Sequence, residues 1–232
     1  MNGYYPIVLQ LRGKKIVVVG GGAVAERKVN GLLEAGADDV KVVSPIVTER
    51  IAALAEEGKL RLELRSYKES DACGARLLFA ATGNEVVNAA VAADGERYGA
   101  FVNAADSYED GDFLVPSVIR RGDLLLSVTA TGASPSLAAA IKKELEAQYG
   151  EAYGKAASRL RRLRALTMKS KLDRVDKQAV LKLAAEEAVE AARTGVWTEE
   201  GNGKEESDEV WLNGLLHRVG LTGGVHNERN SE

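Results

Sequence analysis

Between Lys15 and Gly22 the chain reads KIVVVGGG, a β-branched apolar run closed by three glycines. A strand that is apolar on both faces has to be covered on both, which is the situation of a parallel strand inside an α/β sheet. A helix is expected next. From Ala23 to Ala35 the chain carries Val24, Val29, Leu32 and Leu33 at near-helical spacing, and Gly36 supplies the stop. Residues 40–43 read as the second strand, 48–57 as a helix and 60–64 as a third strand, so a β-α-β-α-β alternation fills the first 65 residues. A further strand at 77–82, a helix opening near Glu85 and a short strand at 101–104 complete the expected elements. The fold class is therefore α/β, with an N-terminal Rossmann-like, doubly wound parallel sheet.

Beyond residue 112 the pattern changes. FLVPSVI and LLLSVTA read as two strands joined by a turn at Arg120-Arg121-Gly122-Asp123, which predicts a small hairpin-containing α+β unit. Ser134-Pro135 offers an N-cap followed by proline at the first helical position, with Leu137, Ile141 and Leu145 as the apolar stripe behind it. Residues 151–193 are helical in composition and divide around Lys171 to Asp176. The acidic, glycine-interrupted stretch 198–209 reads as a linker, and VWLNGLLHRVGL after it as a short docking helix. The expected domains are 1–112, 113–150 and a helical C-terminal region with linker and tail at 151–232.

A formal charge of −3 gives no overall attraction to polyanions, so no nucleic-acid partner is expected. The single Cys73 has no disulfide partner, and a small buried hydrophobe is favoured for it over a reactive thiol. With His217 and His226 in the tail and Cys73 apart, no metal-ligand cluster is expected. No segment nears the roughly 18 apolar residues of a membrane span, and the N-terminus lacks a signal-peptide run; the expected location is the cytoplasm.

Gly20-x-Gly22-x-x-Ala25 stands directly after a strand and opens a helix, which is the setting of a dinucleotide-binding turn. Gly20 permits the tight turn, Gly22 leaves room for a pyrophosphate, and Ala25 keeps the helix close to the strand. The N–H groups of Gly22, Ala23 and Val24 would face the phosphates, where the helix dipole helps. The acidic residue usual at the end of the second strand is missing. Ser44, Pro45 and Ile46 stand there instead as candidate cofactor contacts, and Ser44 could meet either a hydroxyl or a phosphate. Asp38 and Asp39 precede that strand and read as turn residues. Thr82 and Asn84, at the carboxyl end of the fourth strand, are either cofactor contacts or caps for the helix at Glu85.

Asp106 follows the strand 101–104 and is either a turn aspartate or a carboxylate that accepts a proton beside a hydride transfer. Four segments in this order, YYPIVLQLRGKKIVVVGGGAVAERK, AATGNEVVN, FVNAADSYEDGDFLVPSVI and VTATGASPSLAAAIKKEL, resemble the precorrin-2 dehydrogenase family over roughly residues 4–165. That family makes sirohydrochlorin, and some members also insert ferrous iron to give siroheme. The resemblance implies a homodimer, with an NAD-binding N-terminal domain, a dimerisation domain at 113–150, and a tetrapyrrole held between the domains. It also implies that Asp106 is the catalytic aspartate, and in chelating members the same residue is implicated in iron insertion. The loop after the second hairpin strand departs from the family's Ser and Gly pattern. Here it reads Thr129-Ala130-Thr131-Gly132, so Thr129 or Thr131 would replace a serine at the substrate, while Ser134 matches. For Ser134 an N-cap role is favoured over direct substrate contact.

Lys155, Arg159, Arg161, Arg162, Arg164, Lys169, Lys171 and Arg174 share a helical stretch with one acid, Asp173. A solvated face is the default for such a run, and pairing with the carboxylates of a tetrapyrrole is the functional alternative. The alternative to an enzyme is a non-catalytic NAD-sensing module. It needs only the glycine turn and leaves Asp106 and the second domain without a role.

Overall fold

The computed structural model describes residues 3–104, 111–195 and 207–221. The chain divides into two compact units, Met1–Val115 and Pro116–Glu232. In the first unit, β1 (Ile16–Val19), β2 (Val40–Val43), β3 (Arg61–Glu63), β4 (Leu77–Ala80) and β5 (Phe101–Ala104) form one sheet in the order β3-β2-β1-β4-β5. Every pairing in it is parallel. This is the doubly wound, Rossmann-like α/β fold expected from the KIVVV run and the alternation after it.

The apolar run of β1 serves both faces. Ile16 and Val18 join a core with Ala25, Val29 and Leu32 of α1 (Ala23–Glu34) and with Ile51 and Leu54 of α2 (Glu49–Glu56). Val17 and Val19 join the opposite core with Val91 of α3 (Glu85–Tyr98), Ala72 and Ala75. The strands β3 and β4 end earlier than the apolar runs 60–64 and 77–82 suggest. Leu64 is turned to solvent, and the chain leaves β4 after Ala80, where Ala81 still donates to Val19.

The second unit opens with a hairpin of β6 (Ser117–Arg121) and β7 (Leu124–Val128). The strand starts after Pro116 rather than at Phe113. Arg120 and Arg121 lie within the strand rather than in the turn, because they pair with Leu125 and Leu124 and leave Gly122-Asp123 as the two-residue connection. Then come α4 (Pro135–Gln148), α5 (Glu151–Lys169), α6 (Arg174–Arg193) and α7 (Asp208–Arg218). Asp173 caps α6 by accepting the Asp176 N–H at 2.8 Å, so that helix begins inside the break expected at 171–176. Gly154 brings α5 close against Arg121 of β6, where a Cβ would sit 2.8 Å from the Arg121 carbonyl. The stretch VWLNGLLHRVGL supplies most of α7, which docks as expected. Trp211, Leu212, Leu215 and Leu216 enter a core with Leu163, Val180, Ala184 and Ala188. Among the described residues, no helix is long and apolar enough to cross a membrane.

Candidate functional site

The strand order reverses between β1 and β4, and a crevice opens at that point outside the carboxyl ends of the strands. There the glycine turn leaves β1. Gly20 has φ 120°, donates its N–H to Val43 at 3.0 Å, and would drive a Cβ into the Ala81 carbonyl. Only glycine suits that conformation. Gly21 is as tightly held, since a Cβ on it would strike the Ile46 carbonyl and crowd Val47 and the Ser44 hydroxyl. Gly22 is different. It is the N-cap of α1, it makes no side-chain cap, and the space where its Cβ would stand is open for 4 Å. The first N–H groups of α1 therefore face open space with the positive end of the helix behind them.

The resulting cleft has a volume of about 820 Å³. Its floor is Gly20, Gly22, Ala23 and Val24, one wall is Ser44, Pro45 and Ile46, and the other carries Thr82 and Asn84. The structure thus brings together every residue singled out on the first unit as a cofactor contact. Ser44 is buried, and its hydroxyl donates to the Ile46 carbonyl at 2.7 Å. Asn84 caps α3, accepting from the N–H groups of Val86 and Val87 at 3.0 and 3.2 Å, and it still lines the cleft. The Thr82 hydroxyl bonds to the buried Asn88 at 2.7 Å. Capping and lining are thus not exclusive here.

Sequence reasoning missed Gly21, Ser66 and Tyr67. Gly21 falls on the unspecified position of the glycine pattern, and the triple glycine was the signal available for it. Ser66 and Tyr67 reach the cleft from the segment after β3, which has no motif. That segment is held by Asp71, buried at 1% exposure. Its carboxylate accepts from Lys41 at 2.5 Å, from both terminal nitrogens of Arg65 at 2.8 Å and from the Lys68 N–H at 3.0 Å. Burial alone would push the Asp71 carboxyl up, yet hydrogen bonds from Arg65, Lys41 and the Lys68 N–H hold it well below the usual carboxylate range. The Tyr67 hydroxyl donates to Asp94 at 2.9 Å, and burial followed by that bond pushes the phenol up. On α1, burial pulls the Lys28 ammonium down to about 8, with Arg27 adding to the shift, and Lys28 lies 5.9 Å from the Phe79 ring centre.

Asp106 lies outside the described residues, but the chain on either side of 105–110 is closely tied. Asp112 donates its N–H to the Val102 carbonyl and accepts the Val102 N–H on its carboxylate, both at 2.8 Å, and the Asn103 amide donates to the Phe113 carbonyl at 2.8 Å. In the second unit, Thr129, Thr131 and Ser134 share the connection from β7 to α4. Thr131 has φ 50° and donates its N–H to the Thr129 hydroxyl at 3.1 Å, while Ser134 caps α4 by accepting from Leu137 at 3.2 Å.

Cys73 is exposed rather than buried, because Ala72 and Ala75 take the inward positions on either side of it. The basic stretch on α5 is mostly a solvated face, with one exception. Arg159 is buried, stands 4.4 Å from the centre of the Trp211 ring and pairs with Asp208 at 3.4 Å, so it anchors α7. Asp38 and Asp39 lie in the connection between α1 and β2, after the turn at 35–36, with Asp38 accepting the Gly13 N–H at 2.7 Å and Asp39 pairing with Arg61. Among the described residues no group of His, Cys, Asp and Glu is arranged to hold a metal ion.

A family model described as "Putative NAD(P)-binding" matches residues 7–117, the unit that holds the cleft. The open Gly22 and the uncapped start of α1 fit a dinucleotide's pyrophosphate, and the cofactor of this domain is accordingly NAD(P). Precorrin-2 dehydrogenase of Priestia megaterium is 35% identical over 149 residues, covering 64% of this chain and 73% of that protein. Siroheme synthases of Nitrosococcus oceani and Methylococcus capsulatus are 38% and 41% identical, over 66% and 62% of this chain. The chain spans about a third of the length of those synthases, 32% and 30% respectively. Among solved structures, SirC, precorrin-2 dehydrogenase, superposes with a TM-score of 0.69 at 28% identity, covering 94% of this chain and 99% of that one. With its glycine turn, its switch-point cleft and a relative matched over most of that relative's length, the chain belongs to the precorrin-2 dehydrogenase family.

Proposed function

We propose that this chain oxidises precorrin-2 to sirohydrochlorin with NAD in siroheme biosynthesis. The observation that carries the reading is the cleft at the strand-order reversal, where the unfilled space at Gly22 faces the uncapped N-terminus of α1. When bound, the nicotinamide supplies the hydride acceptor. The chain's part is to bind, orient and move a proton. The N–H groups of Gly22, Ala23 and Val24 hold the pyrophosphate, and Gly20, Ser44, Pro45, Ile46, Thr82 and Asn84 enclose the rest of the dinucleotide. Asp106 takes the proton that leaves the macrocycle as the hydride departs, so the products are sirohydrochlorin, reduced cofactor and that proton. Thr129, Thr131 and Ser134 contact the tetrapyrrole. The chain works as a cytoplasmic homodimer, with residues 1–112 binding NAD, 113–150 forming the dimerisation domain and 151–232 the helical region and tail. Ferrous iron is a second substrate in this reading, inserted into the sirohydrochlorin formed.

The test is anaerobic turnover of precorrin-2 with NAD or NADP, followed by absorbance of the reduced cofactor and of sirohydrochlorin, beside Asp106→Asn. Both products should appear together and be lost in the variant, after which added ferrous iron tests chelation. Dinucleotide binding without turnover would replace the enzyme with a sensor.

A further inference from the structure

The adenosine ribose of a dinucleotide on this fold meets the end of the second strand, where an acidic residue selects the 2′-hydroxyl or a basic one accepts a 2′-phosphate. This chain has neither at that point; it has Ser44. The Ser44 proton is already given to the Ile46 carbonyl at 2.7 Å, so the oxygen offers lone pairs and can accept from a hydroxyl but not donate to a phosphate. Among the described residues, no lysine or arginine lines the cleft.

Cations do stand just behind that wall. The Ser44 N–H donates to the Glu63 carbonyl at 3.1 Å, and Arg65 directly precedes the lining residues Ser66 and Tyr67. A guanidinium carries five N–H donors, and on Arg65 four hydrogen bonds and two ion pairs hold it on its own network. Nε donates to Glu63 at 2.8 Å, one terminal nitrogen to Asp71 at 2.8 Å and the Ser66 carbonyl at 3.0 Å, and the other to Asp71 at 2.8 Å, with the Glu63 carboxylate also 2.8 Å from it as an ion pair. Lys41 is likewise taken by Asp71, with Glu63 at 3.7 Å. Two acids and two bases close on each other, and the network shows the cleft no net positive charge.

We infer that Asp71 is a specificity-determining residue for the dinucleotide: by holding Arg65 and Lys41 it keeps both from a 2′-phosphate, and so favours NAD over its 2′-phosphorylated form. Asp71 touches no cofactor atom itself. It acts through Arg65, and Ser44 supplies the acceptor that remains. The inference rests on the cleft being a dinucleotide site but not on turnover of precorrin-2.

The experiment is fluorescence titration of the full chain with NADH and with NADPH, in the parent, Asp71→Asn and Glu63→Gln. The parent should bind NADH more tightly. Asp71→Asn leaves the network one positive charge in excess, and the affinity ratio should move towards NADPH by roughly five- to tenfold, the scale of one unit charge near a partly solvated phosphate. Adding Arg65→Gln to Asp71→Asn should restore the parent ratio. Glu63→Gln loosens the same arginine from a more exposed carboxylate and should move the ratio the same way, so the test stands even if the buried Asp71→Asn fails to fold. A ratio unchanged in both single variants, or a parent that prefers NADPH, overturns the inference while leaving the dinucleotide site intact. Binding of neither nucleotide overturns the inference together with the site.

Discussion

Gly22 and its neighbour Gly21 should part company when each becomes alanine. The backbone of Gly22, at φ −83° and ψ −172°, is open to any residue, and an added methyl meets nothing within 4 Å. Replacing a glycine N-cap by alanine weakens the cap by a few tenths of a kcal/mol or more, while the stiffer unfolded chain offsets about 0.4–1 kcal/mol. Folding stability of Gly22→Ala should therefore stay within about 1 kcal/mol of the parent. The same methyl stands where a pyrophosphate must approach the helix N–H groups. Losing one charge-assisted hydrogen bond costs about 1.5–3 kcal/mol, so NADH affinity should fall roughly 10- to 100-fold. Gly21→Ala should do the reverse kind of damage. Its methyl strikes the Ile46 carbonyl and lies 2.7 Å from the Val47 side chain, an overpacking that costs about 1–3 kcal/mol or more, or a melting temperature lower by about 2–4 °C for each kcal/mol. Thermal melts and NADH titrations of both variants decide the matter. A Gly22→Ala protein that binds NADH within about twofold of the parent would refute the reasoning.

Three further outcomes are expected. The Asp71 carboxyl is held below its unfolded value of 3.8, so its stabilisation is complete above that pH and disappears as pH falls below it. In denaturant titrations the stability gap between the parent and Asp71→Asn should narrow on acidification through about pH 4. Lys28 carries the opposite sign. Its folded value of about 8 lies below the ordinary 10.5, so the burial cost is full below about pH 8 and fades as pH rises to 10.5. Lys28→Met should stabilise the first unit by about 1 kcal/mol at neutral pH, allowing for solvent screening, with less gain at about pH 10. In the second unit, Trp211→Ala removes a buried ring, its bond to Glu187 at 3.0 Å and the surface under Arg159. A loss of about 3–5 kcal/mol in chemical denaturation is expected.

The parts of this molecule that were legible in the sequence are those written in consecutive residues. KIVVV, the glycines after it and the stripe of α1 announce a buried strand, a turn and a helix within twenty or so positions, and Ser134-Pro135 announces the start of α4 in two. The hairpin turn was misjudged because Arg120 and Arg121 look like turn residues, whereas the register with Leu124 and Leu125 is a property of the pair of strands. Cys73 was misjudged because burial depends on which side of a short turn faces the sheet. Ser66, Tyr67 and the Asp71 network were invisible for a deeper reason. They depend on β2, β3 and the turn at Asp71 meeting at one edge, and no spacing in the chain records that Lys41, Arg65 and Asp71 share a carboxylate.

The knot of hydrogen bonds joining Val102 and Asn103 to Asp112 and Phe113 has a consequence for how this chain can change. Because the chain on either side of 105–110 is tied together by residues of the sheet edge, the entropic cost of bringing those two flanks together is met by the flanks themselves. Substitutions or small changes of length within 105–110 need not disturb the pairing of β4 with β5. Asp112, which both gives to and takes from the Val102 backbone, is the residue whose loss the sheet edge would register.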